Sequence, residues 1–211
     1  MIGMLIEEST LMPNSSQKAE RGAARGSLIR VGVELCTQTG FQATGIDQVL
    51  RAAGVPKGSF YHYFPSKKDF GLAVIDAYAD YFCTKLQRIL ENPHVAPLQR
   101  LQDFVQEAEK GMKKHDFQRG CLVGNLGQEM AGLDDQFRER LESVLKLWES
   151  QTSRCLKAAQ EAGEVDASLD ADQLAEFFWI GWEGAILRAK LTQSSRPMHV
   201  FAEGFLAQLK I

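Results

Sequence analysis

Cysteine is scarce in this 211-residue chain, and its four copies, Cys36, Cys83, Cys121 and Cys155, lie far apart with no CxxC pair. No histidine stands at zinc-site spacing from any of them, so neither a zinc ribbon nor a disulfide framework is expected, and in a reducing cytosol four free thiols follow. Histidine is equally sparse, at four residues. The patterns GxSxG, HExxH, GxGxxG and the Walker A loop do not occur, which removes the common catalytic and nucleotide-binding templates. No apolar run reaches the length of a membrane span. The opening MIGMLIEES has no basic residue ahead of its short apolar patch and two glutamates behind it, which makes a poor signal peptide. Met12 is an equally natural start, so residues 1–15 are set apart as an N-terminal extension, and a cytoplasmic location is expected.

What the chain does have is enough apolar residue, 45% against 24% charged, to bury an ordinary soluble core. Its charge is unevenly placed. Between Pro13 and Lys68 eight basic residues face three acidic ones, whereas from Asp69 onward 22 acids outnumber 16 bases. A basic head on an acidic body suits a phosphate-binding module joined to a part with a separate role.

No segment alternates with period two, and glycine and proline fall between stretches of helical length, so the fold class is all-α with about nine helices. A first helix is predicted from about Ser16 to Thr39, with Leu28, Val31, Leu35 and Cys36 inward and Gly40 as its stop. Thr44 with Asp47 resembles a capping box for a second helix, Ile46 to Ala53, ended by Gly54. Pro56 opens a short third helix to Tyr63, anchored by Phe60. Ser66 caps a long helix from Lys67 to about Glu91, with the stripe Phe70, Val74, Ala77, Tyr81 and Leu86. Further helices are expected at 97–115, 120–131, 134–162, 170–193 and 198–209. The division is 16–66 for a three-helix head and 67–211 for a larger helical body.

The stretch from Thr44 to Lys67 carries the clearest function. Its third helix bears Lys57, Ser59, Tyr61 and His62, hydroxyls, aromatics and a cation that core packing does not need. A helix entering the major groove does need them. Gly58 permits close backbone approach. Tyr63, Lys67 and the Thr44 hydroxyl suit phosphate oxygens, helped by helix N-termini. Arg21 and Arg25 are read as either a basic arm for the minor groove or a solvated helix end.

Two clusters stand out in the body. In RGCLVGNLGQEM, Cys121 opens a helix two residues after Arg119. A helix N-terminus and a nearby cation both favour the thiolate. Asn125, Gln128 and Glu129 then project polar groups from an otherwise apolar, glycine-rich turn, as either a ligand wall or an exposed face. In LAEFFWIGWEGAILRAKL, Trp179, Glu183, Ile186 and Lys190 share one face, and Gly181, Ala185 and Arg188 another. Trp179 and Trp182 also fit a plain aromatic core. Glu183 and Lys190 are expensive to bury unless paired or used on a ligand.

The segment GFQATGIDQVLRAAGVPKGSFYHYFPSKKDF resembles the head of the tetracycline-repressor family, with capped helix, turn glycine, KGSFYHYF and SK in order. The resemblance implies a homodimer whose two helix-turn-helix heads grip a palindromic double-stranded DNA operator, with a body that binds a ligand and dimerises through its last two long helices. HYFPSKKDFGLAVIDAY and the two body clusters resemble, more narrowly, the electrophile-sensing branch of that family, over nearly the whole chain from Ser27. That branch implies Cys121 as the sensing thiol with Lys190 near it, and an acrylate-like acid, its thioester or a reactive carbonyl as effector. Addition to the thiolate, oxidation of it, and noncovalent pairing of a carboxylate with Arg119 or Lys190 all remain open. A cysteine-dependent enzyme with His115 as base is the rival reading, and it is not expected. Neither cofactor, metal nor membrane contact is expected.

Overall fold

The structure, a computed structural model, describes residues 15–209, with side chains from Glu20 onward; of the extension assigned to residues 1–15, the first fourteen lie outside this range. Among the described residues eight α-helices follow one another: α1 (Ser15–Thr39), α2 (Ile46–Ala53), α3 (Lys67–Leu90), α4 (Pro97–Lys114), α5 (Leu122–Met130), α6 (Asp135–Glu161), α7 (Ala171–Thr192) and α8 (Arg196–Gln208). A 3-10 turn at Phe60–His62 takes the place of the ninth helix. Among the described residues there is no strand, and no helix is long and apolar enough to cross a membrane.

Glycine sets two boundaries in the head. Gly40 takes φ +87° and returns its N–H to the Cys36 carbonyl, ending α1, and Gly54 closes α2 at φ +68°. The capping box expected of Thr44 and Asp47 does not form. Gly45 is the N-cap, without a side-chain bond, while the Thr44 hydroxyl turns inward and donates to the Gly40 carbonyl at 2.6 Å. The third helix is also shorter than its sequence suggested. Gly58 at φ +85° breaks right-handed winding just after Pro56, so only the turn at Phe60–His62 remains.

Phe60, Phe64 and Phe70 pack with centroids 5.0–5.5 Å apart at the centre of the head, against Leu28, Val49 and Leu50. Removing one such ring from water contributes about 1.5–3 kcal/mol. Because Phe70 and Val74 press on Gly32 of α1, the first turns of α3 belong to the head core although α3 leads into the body.

Ser66 caps α3 by accepting from the Asp69 N–H, and Asp170 caps α7 by accepting from Asp172 and Gln173. The expected α3 stripe needs one correction. Tyr81 is 64% exposed, and the inward line runs Phe70, Val74, Tyr78, Phe82, the true four-residue spacing. Phe82 meets Trp148 of α6 at 4.5 Å, and Trp148 meets Trp179 of α7 at 4.9 Å, forming the aromatic centre of the body.

Candidate effector site and nucleic-acid interface

On the head, Lys57, Gly58, Tyr61 and His62 are exposed, and Tyr63 is half-buried. The Ser59 hydroxyl donates to the Pro56 carbonyl at 2.7 Å and so shapes the turn. Lys67 lies over the Phe41 ring and donates to the Gln42 carbonyl at 3.2 Å, tying the start of α3 to the α1–α2 loop. Thr44 is corrected as a phosphate contact: it is 1% exposed and its hydroxyl proton is already committed. Arg21 and Arg25 form no separate arm. Both sit within α1, where Arg21 donates to the His62 carbonyl and Arg25 covers Phe64.

In the body, α5 and α7 converge on the C-terminal end of α1. A helix leaves its last carbonyls without intrahelical partners. Here Asn125 donates to Cys36 and Thr37, the Gly120 N–H donates to Thr37, and the Lys190 ammonium donates to Gln38 at 2.9 Å and Thr37 at 3.4 Å. A cation at that position also meets the negative end of the α1 dipole. Just past the helix, the Glu129 carboxylate accepts from the Phe41 and Gln42 amides at 2.7 and 2.6 Å. Three residues first read as ligand-facing therefore bolt body to head. They also wall a cavity of about 610 Å³, together with Gln128, Cys121 and Glu183.

Cys121 is the N-cap of α5 and stands beside Glu183 of α7 and Tyr78 of α3, whose O–H donates to Sγ at 3.9 Å. The electrostatics reverse the sequence-based expectation. Burial, then the Glu183 carboxylate, hold the thiol well above its ordinary range, outweighing the favourable Gly124 amide at the helix start. Arg119 does not pair with the thiol; it lies 3.8 Å from Glu34 of α1. Burial pushes the Glu183 carboxyl up to about 7, and its Oε1 has no hydrogen-bond partner among the described residues. Tyr78 is likewise pushed well up, by burial first and then by Cys121 and Glu183.

Tyr78 escaped the sequence reading. A phenol on the inward line Val74–Tyr78–Phe82 needs a polar partner, and that signal was hidden by assigning Tyr81 to the stripe. Gly124 was also missed: a Cβ there would run into the Glu183 carboxylate, so the glycine makes room for it.

A second cavity, about 280 Å³, lies on the other side of Cys121 and Glu183. Trp179 and Trp182 line it with Arg119 and His115. Trp179 is a core residue as well, its Nε1 donating to the Thr152 hydroxyl at 3.0 Å. The Arg119 Nε is buried without a partner among the described residues. The face of α7 carrying Trp179, Glu183, Ile186 and Lys190 thus lines both cavities.

On the opposite side of α7, Gly181 packs beneath Phe201 of α8 in the same chain, Ala185 is buried and Arg188 is exposed. On the flank of α7 next to the cavity face stand Ile180, Leu187 and Leu191, each more than half exposed, with Gly184; Ile180, Gly184 and Leu187 also line the 610 Å³ cavity.

Residues 28–74 match the family model for bacterial regulatory proteins, tetR family, and residues 97–205 match that for the tetracyclin repressor-like C-terminal domain. The chain is 51% identical over 202 residues to the transcriptional regulator AcuR of Cereibacter sphaeroides, covering 92% of each. It is 30% identical over 186 residues to the HTH-type transcriptional repressor NemR of Escherichia coli, covering 88% of this chain and 92% of that one. The crystal structure of regulatory protein TetR from Rhodobacter sphaeroides superposes with a TM-score of 0.85 at 52% identity, over 88% of this chain and 98% of that chain. With a helix-turn-helix head, a helical body of matching fold and relatives of this kind, the chain belongs to the tetR family of bacterial regulatory proteins.

Proposed function

We propose that this chain is a ligand-responsive transcriptional repressor that binds a palindromic operator as a homodimer and releases it when a small electrophilic or unsaturated-acid effector engages the Cys121 site. The observation that carries the reading is the shared wall: the cavity beside Cys121 is lined by the same Asn125, Glu129 and Lys190 that hold the end of α1. An effector there competes directly with the bonds that orient the head. The route to the head runs through α1 more directly than through α3, which contacts the site at Tyr78.

On the DNA side, Lys57, Ser59, Tyr61 and His62 reach base edges or adjacent phosphates, Gly58 allows the backbone close, and Tyr63 and Lys67 hold the backbone. Two copies joined along Ile180, Leu187 and Leu191 set the spacing of the two heads. A hundredfold fall in operator affinity needs a coupling of only about 2.7 kcal/mol, the scale of one or two charge-assisted hydrogen bonds lost at the joint.

One observation favours a noncovalent variant of the same reading. The unpartnered Arg119 Nε in the second cavity is a donor suited to an effector carboxylate. Both variants are separated by one titration of operator release, using a promoter fragment from upstream of the gene with acrylate-type, aldehyde and maleimide compounds. The parent chain releases DNA and Cys121→Ser retains it under the covalent reading. Release by Cys121→Ser at the parent's dose assigns sensing to noncovalent binding.

A further inference from the structure

Beside the sensing thiol stands an acid group that the switch described so far does not use. Glu183 stands beside Cys121, both of them against the Gly124 position, shares both cavities with it, and leaves its Oε1 buried without a partner among the described residues. Tyr78 approaches the same sulfur from α3 with its O–H. Gly124 has no side chain, and that absence gives the carboxylate its place. We propose that Glu183 is the proton acceptor and donor for covalent capture at Cys121, and that the captured ligand class is a small alkene conjugated to a carbonyl. The inference rests on the Cys121 sensing reading.

The step balances without any further reactant. The thiol proton passes to the Glu183 carboxylate, and Sγ forms a bond to the β-carbon as the C=C π pair shifts between the α-carbon and the carbonyl carbon and the C=O π pair moves onto oxygen, giving the enolate. Tyr78, donating to Sγ, steadies the transient thiolate. The enolate then collapses, its α-carbon taking the proton back from the Glu183 carboxyl. A thioether and the original carboxylate remain, and nothing is oxidised or reduced.

A base is needed here because the thiol by itself is the wrong species. Burial holds Cys121 protonated far into the alkaline range, so the free thiolate is negligible near neutrality. A carboxyl raised to about 7 is half ionised at cellular pH and well matched to move that proton. The other titratable or charged groups around the two cavities are Glu129 and Lys190 on the first. On the second they are Tyr78, Tyr81 and Lys85 of α3, with His115 and Arg119 ahead of α5. Lys190 is held by the end of α1 and Glu129 by the two amides just past it, and Arg119 lies beside Glu34. His115 is pushed down, by burial first and then by Arg119. Among the described residues, Glu183 is the group beside the thiol that keeps an unheld acceptor oxygen.

The test follows Cys121 adduct formation on the purified full chain by intact mass and peptide mapping, with methyl vinyl ketone as the probe across pH 5.5 to 9.5. The parent rate is expected to climb to a plateau with its midpoint at about 7, the Glu183 value. Glu183→Gln is expected to slow the reaction at least tenfold at neutral pH, its rate still climbing beyond the ordinary thiol value of 9.0. Glu183→Asp, which retracts the carboxylate by one methylene, keeps the plateau at a reduced rate and decides the matter if the Gln chain does not fold. Parent-like rate and midpoint in either folded variant overturn the proposal. Operator release is read in parallel. A Glu183-dependent adduct with the operator still bound sinks the sensing reading but supports the proton transfer. Release with Cys121 unmodified overturns covalent capture and leaves the noncovalent variant of the sensing reading.

Discussion

The Lys190 ammonium donates to the Gln38 carbonyl at 2.9 Å, so a side chain from the seventh helix closes the last turn of the first. Two residues 152 positions apart thereby join the cavity beside Cys121 to the helix-turn-helix head. Asn125 and Glu129 complete the joint from α5.

Cutting this joint is expected to loosen the head. Lys190→Met keeps the aliphatic stem and removes the donor; Glu129→Ala strands two backbone amides. Each is expected to cost about 1–3 kcal/mol, read from urea unfolding, and to weaken operator binding several-fold in anisotropy titrations. Unchanged midpoints and affinities together would remove the joint from the switch.

On the head, Lys57→Ala and Thr44→Val are expected to separate contact from fold. Lys57 is exposed, its loosely held neighbour Asp47 equally so, and its removal leaves stability unchanged while lowering the log–log salt slope of operator binding by about 1 per head. Thr44→Val strands the Gly40 carbonyl and costs about 1 kcal/mol of stability with the salt slope intact. A Thr44→Val chain with normal stability and a reduced slope would restore the phosphate contact that burial argues against.

Stability should depend on pH through Glu183. Its folded value, about 7, lies above the ordinary 4.5. Below the ordinary value both states hold the proton and there is no penalty. As pH rises from there to about 7 the unfolded chain releases the proton and the fold keeps it, so stability falls; above 7 the loss is complete, at about 3 kcal/mol. Glu183→Gln is therefore expected to raise the urea midpoint at pH 8 and barely change it at pH 4.5. A parent chain with flat stability over this range contradicts the burial of the charge.

Gly124→Ala places a methyl group where the Glu183 carboxylate lies. Overpacking of this kind costs about 1–3 kcal/mol, visible as a lower melting temperature. It is also expected to change the pH midpoint of Cys121 alkylation, because the displaced carboxylate no longer meets the thiol. A fall in melting temperature with an unmoved midpoint would confine Gly124 to packing.

Leu187→Glu or Leu191→Glu sets a charge on the outward stripe of α7. The expected result is a monomer in sedimentation and loss of specific operator binding, since one head alone provides half the phosphate contacts. A monomeric parent chain would remove the stripe as the interface.

Much of this was legible in the one-dimensional chain because helix periodicity and caps are local. The bounds of α2 fell where Thr44–Gly54 suggested, Ser66 and Asp170 cap as read, and Trp179, Glu183, Ile186 and Lys190 share a face because helical geometry requires it. Local signals failed where a distant group intervened. Thr44 looked like a cap, but its hydroxyl found the Gly40 carbonyl. Cys121 looked like a thiolate beside Arg119, but that guanidinium turned to Glu34 and a carboxylate arrived from α7.

By itself, the sequence determined an all-helical chain with a basic head, a DNA-reading turn and a cysteine at a helix start, since each follows from spacing and composition within a few residues. Tertiary structure alone decided what surrounds that cysteine and what Asn125, Glu129 and Lys190 hold. Their partners lie about 88 to 152 residues away. Whether a buried polar group serves a ligand or a backbone carbonyl depends on which atom packing brings within three ångströms.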